Sequence, residues 1–270
     1  MTRLAAVIGS PVRHSLSPAM HNAVFAASGL DWRFTRFELA PGGVSAALAA
    51  MRVLDIGGYA VTTPHKEAAA ATVDEVDPAA RALNSVNTVV LRDDGSTFGA
   101  STDGAGLVAW VEASGIPVAG ARVVVLGAGA AARSIVDALA RAGASDIAIV
   151  NRTVSAAEQA AQLSPVAHVA DLDALDDARL VVNATSVGMG TCECPLDPTL
   201  LHSGHAVADI VYHPLDTALL SAARAAGAQA IDGLGMLVHQ AVEQQQLWTG
   251  HRPDPLLMRA AAERALAAAG

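Results

Sequence analysis

Aromatic side chains are scarce in this sequence, at 3% of 270 residues, and cysteine is scarcer still, with two. Cores built with few large rings must be filled by small and branched side chains. Apolar residues make up 52% of the chain, much of it alanine, which suits closely packed helices in an ordinary globular protein. Cys192 and Cys194 stand one residue apart, too close for an unstrained bridge. With no spaced cysteine framework, the chain fits a reducing compartment. Cys192-Glu193-Cys194 lacks further ligands nearby and reads as a loop, not a metal site. Positive charge is also short: 17 Lys and Arg face 26 Asp and Glu, a net charge of −9. That balance excludes nucleic acid as a general partner, although a local basic pocket remains open. No apolar window is long enough to span a bilayer. The stretch from Leu4 to Gly9 is too short for a signal-peptide core and has no cleavage region after it. The expectation is a soluble cytoplasmic protein, without a membrane partner, acting as a monomer or homodimer.

What is there is an alternation of strands and helices. Leu4 to Ile8 reads as a buried strand, and Ser17-Pro18 as an N-cap with proline in the first helical position, opening a helix to about Ser28. A strand over 32–39, a helix over 44–53 and a strand over 58–62 follow, and Pro64 is expected to start the next helix. Val86 to Arg92 and Ser96 to Gly99 make a hairpin across Asp93-Asp94-Gly95. A helix runs from Thr102-Asp103-Gly104 to about Ser114. Arg122 to Leu126 is a continuous β-branched run, suited to a parallel strand covered on both faces. Further strands are expected at 146–151, 180–184, 206–212 and 228–231, and the chain beyond Gly233-Leu234-Gly235 is helical. The fold class is therefore α/β: an N-terminal α/β domain over 1–103, a Rossmann-like doubly wound domain over 104–234, and C-terminal helices over 235–270 returning to the first domain.

Gly127-x-Gly129-x-x-Ala132 lies between a strand and a helix, the context in which this pattern binds a dinucleotide. The first glycine permits the tight turn, the second lets backbone approach a pyrophosphate, and Ala132 allows close helix–strand packing. The helix N-terminus offers free N–H groups and partial positive charge to the phosphates. The following strand ends in Asn151-Arg152-Thr153, where an NAD-binding domain places a carboxylate for the ribose 2′-hydroxyl. A guanidinium and a hydroxyl there hold a 2′-phosphate, so NADP is favoured over NAD. A bare strand-to-helix turn and a solvated surface arginine are the structural alternatives.

In the first domain, polar groups fall at strand ends: Ser15 and Ser17, Thr62 and Lys66 around Pro64, Asn87 on the hairpin, and Asp103 at a helix start. Hydroxyls, one amide, one ammonium and one carboxylate suit a small polyhydroxylated acid; no His, Cys or carboxylate cluster has metal-ligand spacing. Taken singly, Ser17 and Asp103 read equally well as helix caps and Lys66 as a surface charge.

Several segments together resemble the shikimate dehydrogenase family. They are His14-Ser15-Leu16-Ser17-Pro18 with His21-Asn22, Val61-Thr62-Thr63-Pro64-His65-Lys66, Val86-Asn87-Thr88, Thr102-Asp103-Gly104 with Gly106, Gly127 to Ala131, Asn151-Arg152-Thr153, Asn183-Ala184-Thr185-Ser186, and Gly233 to Leu237, in the family's order along nearly the whole chain. The resemblance implies reversible NADPH-dependent reduction of 3-dehydroshikimate to shikimate, a step of chorismate and aromatic amino-acid biosynthesis. It implies that Ser15 and Ser17, helped by Tyr212, hold the substrate carboxylate, and that Thr62, Asn87 and Gln240 bind ring hydroxyls. Lys66 becomes the acid/base and Asp103 its partner at the reacting hydroxyl. Gly127, Ala128, Gly129, Ala130 and Ala131 hold the pyrophosphate, Asn151, Arg152 and Thr153 the 2′-phosphate, and Ile210 and Gly233 lie near the nicotinamide.

Departures from the family pattern are Ala60 and Ser101 in place of asparagines, Ala156 in place of an arginine, and Ala130 in place of a glycine. The first two remove amides near the substrate residues and the third a phosphate partner; Ala130 fits if its φ is not positive. Two other functions fit the same residues: a quinate/shikimate dehydrogenase using NAD, and a non-catalytic shikimate-binding sensor, against which the retained Lys66 and Asp103 argue.

Overall fold

A computed structural model of the chain describes residues 2–268. They form two compact units, one built from the described residues up to Thr102 and from Val238 onward, the other from Asp103–Leu237.

The first unit contains β1 (Arg3–Gly9), α1 (Ser17–Ala27), β2 (Trp32–Glu38), α2 (Val44–Val53), β3 (Ile56–Val61), α3 (Lys66–Thr72), β4 (Glu75–Val76), α4 (Pro78–Leu83), β5 (Thr88–Leu91) and β6 (Thr97–Ala100). The sheet runs β2-β1-β3-β5-β6-β4. β1 is parallel to β2 and β3, whereas β5 is antiparallel to β3 and β6, as a hairpin requires. Successive side chains of a strand point to opposite faces, and β1 fills two cores. Ala6 and Ile8 pack with Leu48, Met51 and Tyr59; Ala5 and Val7 pack with Phe25, Phe34 and Trp248. Covered on both faces, β1 needs no polar alternation. That is why it reads as an apolar run.

Two starts differ from expectation. Ser17 is not the N-cap of α1: Leu16 precedes the helix with αR angles, Ser17 is the first helical residue, and its N–H donates to Ser15 Oγ at 3.3 Å. Pro64 does not open α3, because His65 N–H closes a turn on Thr62 O at 3.0 Å and the helix begins at Lys66. β4 and α4 were not expected. They are too short to show a period, and α4 is announced by Asp77, whose carboxylate accepts from Ala80 N–H at 2.8 Å.

The second unit contains α5 (Asp103–Ala113), β7 (Arg122–Leu126), α6 (Ala130–Arg141), β8 (Asp146–Val150), α7 (Val154–Ala161), β9 (Ala167–Val169), β10 (Leu180–Asn183), β11 (Ala206–Asp209), α8 (Ala218–Ala225), β12 (Gln229–Ile231) and the start of α9 (Gly233–Thr249). Its sheet is wholly parallel, in the order β12-β11-β10-β7-β8-β9. The chain winds outward from β7 to β9, returns beside β7 as β10, and winds the other way. This doubly wound order creates a switch point between β7 and β10, where ligands of such sheets bind at the carboxyl ends. Val123 and Val125 pack with Ile135 and Leu139 on one face, Val124 and Leu126 with Val181 and Leu219 on the other.

β9 was not foreseen, because this edge strand is partly exposed and carries no apolar pattern. β11 is shorter than expected. It stops at Asp209, because the Val211 N–H turns to the Asp209 carboxylate at 3.0 Å. α9 continues into the first unit, followed there by α10 (Pro255–Ala267), which packs on α1.

Candidate active site

In the first unit the polar residues gather where β1 and β3 end and β5 begins. Thr62 N–H donates to Ile8 O at 3.0 Å and Ser10 N–H to Thr63 O at 3.0 Å, tying the loop after β3 to the end of β1. Gly9 permits this approach, since a Cβ there would overlap the Thr62 side chain. Val61 N–H donates to Asn87 O at 2.7 Å and Val86 N–H to Lys66 O at 3.0 Å, so Thr62, Lys66 and Asn87 share one region. Lys66 is half-buried in the first turn of α3. The turn before it is anchored by buried His65, whose Nε2 lies 2.7 Å from Leu39 O.

Asn87 is 3% exposed; its Oδ1 accepts from Thr102 N–H at 2.8 Å and Thr88 Oγ1 at 2.8 Å. Ser15 and Ser17 lie together at the start of α1, and Arg36 of β2 donates to Ser15 O at 2.6 Å. Gln240 is buried on α9. One turn on, Gln244 Nε2 reaches Asn87 O at 3.4 Å, and another turn on Trp248 Nε1 donates to Val89 O at 3.0 Å. Residues 240, 244 and 248 share a helix face, which lies along β5. Arg36 and Gln244 were not singled out in the sequence. The i, i+4 spacing from Gln240 was the available signal, but spacing alone does not say which face meets the sheet. Ala60 is buried in β3, and Ser101 N–H donates to Asp77 Oδ2 at 3.1 Å.

In the second unit, Asp103 is the first residue of α5 and half-buried. Gly104 after it donates to Ser134 Oγ at 2.9 Å, and any side chain at 104 would strike the Ser134 backbone. That contact fixes the start of α5 against α6.

The glycine turn sits at the switch point. Gly127 has φ +110°, its N–H donates to Val150 O at 2.8 Å, and an added Cβ would press on Thr185 and Ala184. Ala128 is buried. Gly129 differs: its φ of −72° suits any residue and its missing Cβ would meet nothing within 4 Å. The space left there faces outside the protein, as an approaching ligand requires. Ala130 and Ala131 begin α6, and Ala130 is absent from the positive-φ residues, so alanine is at home there. Asn151, Arg152 and Thr153 leave β8, with Asn151 Nδ2 donating to Thr153 O at 2.8 Å. Together with Gly127, Thr185 and Val187 they line a cleft of about 530 Å³. Arg133, in the first turn of α6, was not foreseen. Its Nε is buried with no partner among the described residues, which suits an anion at this helix end. Free backbone N–H groups, a guanidinium and open space above Gly129 fit a dinucleotide phosphate.

Ile210 and Tyr212 follow β11, and burial pushes the Tyr212 hydroxyl pKa up. Gly233 packs onto this segment: its Cβ would lie 2.5 Å from Val211 O and 2.6 Å from Ile210 O. Among the described residues no group of three or more His, Cys, Asp or Glu could hold a metal ion, and no helix is long and apolar enough to cross a membrane.

A doubly wound parallel sheet with a glycine turn at its switch point, joined in one chain to a second α/β unit rich in hydroxyl and amide donors, defines a dinucleotide-binding two-unit enzyme architecture. Comparison with known proteins narrows this. Residues 7–89 match the model of the shikimate dehydrogenase substrate binding domain, 112–189 that of shikimate / quinate 5-dehydrogenase, and 233–263 that of the shikimate 5'-dehydrogenase C-terminal domain. The shikimate dehydrogenase (NADP(+)) of Moorella thermoacetica is 41% identical over 95% of this chain and 91% of its own. The crystal structure of shikimate 5-dehydrogenase from Thermus thermophilus, in complex with NADP(H) and shikimate, is similar with a TM-score of 0.92. It is 38% identical, over 97% of this chain and 99% of that one. A quinate dehydrogenase from Corynebacterium glutamicum in complex with NAD is 32% identical, with a TM-score of 0.90 over 97% and 99%. The chain belongs to the shikimate dehydrogenase family.

Proposed function

We propose that this chain is an NADP-dependent shikimate dehydrogenase, reversibly reducing 3-dehydroshikimate to shikimate for aromatic amino-acid biosynthesis in the cytoplasm. The observation that carries the reading is the unfilled space at Gly129 on the N-terminus of a twelve-residue helix, beside Asn151-Arg152-Thr153, in a member of this family. No carboxylate follows β8 where NAD would need one, so a 2′-phosphate meets a guanidinium and not a repelling charge. When bound, the nicotinamide supplies the hydride for reduction and takes it up in oxidation.

The chain's own residues do the rest. Ser15 and Ser17 hold the substrate carboxylate, with Tyr212 assisting, and Thr62, Asn87 and Gln240 orient the ring hydroxyls. On oxidation the Lys66 amine takes the proton of the reacting hydroxyl as its C–H hydride leaves; on reduction the ammonium returns that proton to the new oxyanion. Asp103 hydrogen-bonds the same hydroxyl.

Ala60 is the place where quinate, with its additional hydroxyl, would differ in fit. Purified protein is assayed with shikimate and with quinate, each with NADP and with NAD, by absorbance at the nicotinamide band. Fastest turnover with shikimate and NADP is expected. Preference for quinate and NAD would replace this reading with that of a quinate dehydrogenase, and binding of shikimate without turnover would leave a sensor.

A further inference from the structure

β10 and β11 end side by side at Asn183 and Asp209, whose side chains are 0% and 1% exposed. Asp209 Oδ1 accepts from Asn183 Nδ2 at 2.9 Å and from Val211 N–H at 3.0 Å; Oδ2 accepts from Thr217 Oγ1 at 2.7 Å. Asn183 extends the network. Its Nδ2 also donates to Val187 O at 3.2 Å, and its Oδ1 accepts from Thr185 N–H at 3.1 Å and Thr185 Oγ1 at 2.7 Å. Thr217 Oγ1 accepts from Leu220 N–H at 3.2 Å, capping α8.

One buried carboxylate thus fastens three segments. The first, 185–187, forms a wall of the cleft that Gly127 and Arg152 also line. The second, 210–212, carries the carbonyls on which Gly233 rests. The third is the start of α8. Burial pushes the Asp209 carboxyl pKa up, against the lowering pull of the bonds from Val211, Thr217 and Asn183. A buried charge is a poor source of stability compared with an apolar side chain of the same volume. What it supplies here is direction, since a carboxylate accepts from several donors at once and sets each donor's bearing. Neither hydride nor proton transfer uses this group.

We propose that Asp209 is a positioning residue for the dinucleotide, setting the 185–187 wall and the 210–212 segment in one register through Asn183 and Thr217. The inference rests on the proposed NADP-dependent function. It places in β11 a determinant of cofactor binding that touches no cofactor.

The test compares wild type with Asp209→Ala and Asp209→Asn, measuring NADPH affinity by fluorescence titration, shikimate affinity by calorimetry, and folding by circular dichroism. Asp209→Ala is expected to weaken NADPH binding by at least about tenfold; shikimate, which meets the 210–212 segment only through Tyr212, should lose no more than about threefold. Asp209→Asn should restore most of the loss: it keeps Oδ1 as acceptor, and its amide can donate to Thr217 Oγ1. If Asp209→Ala does not fold, Thr217→Val, which removes the Oδ2 bond alone, should weaken NADPH binding by about threefold or more. Unchanged NADPH affinity in a folded variant overturns the inference, as does an equal loss of both ligands, which marks general damage. If wild type itself does not bind NADPH, the proposed function falls and this inference with it.

Discussion

Lys66 is the single lysine of a chain with 17 basic residues, so an amine-directed reagent has one side-chain target. The proposed acid/base role predicts that Lys66→Ala lowers kcat by at least about a hundredfold with NADPH affinity unchanged. It also predicts that acylation of the wild type abolishes turnover and that shikimate slows that loss. Steady-state kinetics and mass spectrometry of the acylated peptide check both; near-normal turnover removes Lys66 from the mechanism. For Arg152, the 2′-phosphate assignment predicts that Arg152→Ala raises KM for NADPH by about tenfold or more while KM for NADH barely moves. An equal rise for both would contradict it. At this scale the sequence offered candidates where chemistry is written in residue type, as at Lys66 and Arg152. It was silent on Asp209, which reads as one more strand residue, because a network of tertiary hydrogen bonds has no local signature.

Among the elements, β7, the glycine turn and α6 separate two uses of glycine that look identical in sequence. Gly127 is required by the fold: at φ +110°, with Thr185 Cγ2 2.9 Å from where a Cβ would lie, a side chain is strained. Gly127→Val should therefore cost about 1–3 kcal/mol or more. Gly129 stands at ordinary angles in open space, so Gly129→Val should leave the unfolding temperature within about 2 °C of wild type and weaken NADPH binding by about tenfold or more. Thermal melts paired with nucleotide titration distinguish the two. If Gly129→Val binds NADPH normally, the turn is structural and the phosphate site lies elsewhere. Strands covered on both faces, β1 and β7, were legible as apolar runs, and the β5–β6 hairpin by its Asp-Asp-Gly turn. β4 and β9 were not, because edge strands of two and three residues are held by their neighbours and have no pattern of their own.

For the whole molecule, the buried ring of His21 ties stability to pH. It stacks on Phe34 with centroids 4.5 Å apart, and its Nδ1 lies 3.2 Å from Gln245 Oε1. Burial lowers its pKa to about 4, opposed by its hydrogen bonds with Gln245 and Gln244. The unfolded chain protonates near 6.5 and the folded ring near 4, so between these values the unfolded state holds more protons. Stability from this group is complete above about pH 6.5 and is lost as the pH falls toward 4, by about 3 kcal/mol in all. His205 and His239, also lowered by burial, act in the same direction. His21→Asn should flatten the fall in denaturation midpoint between about pH 6.5 and 4.5; an unaltered slope would show that His21 is not its source.

The first unit closes its core with Trp248, which packs against Ala5, Val7 and Phe25. Those partners leave the ribosome more than two hundred residues ahead of it. During synthesis the opening half must wait, its apolar sheet face bare, while the contiguous middle section can settle on its own. The emerging polypeptide is therefore finished in reverse: the part made first is the last to become whole, and a chaperone has its longest opportunity at that early, uncovered face.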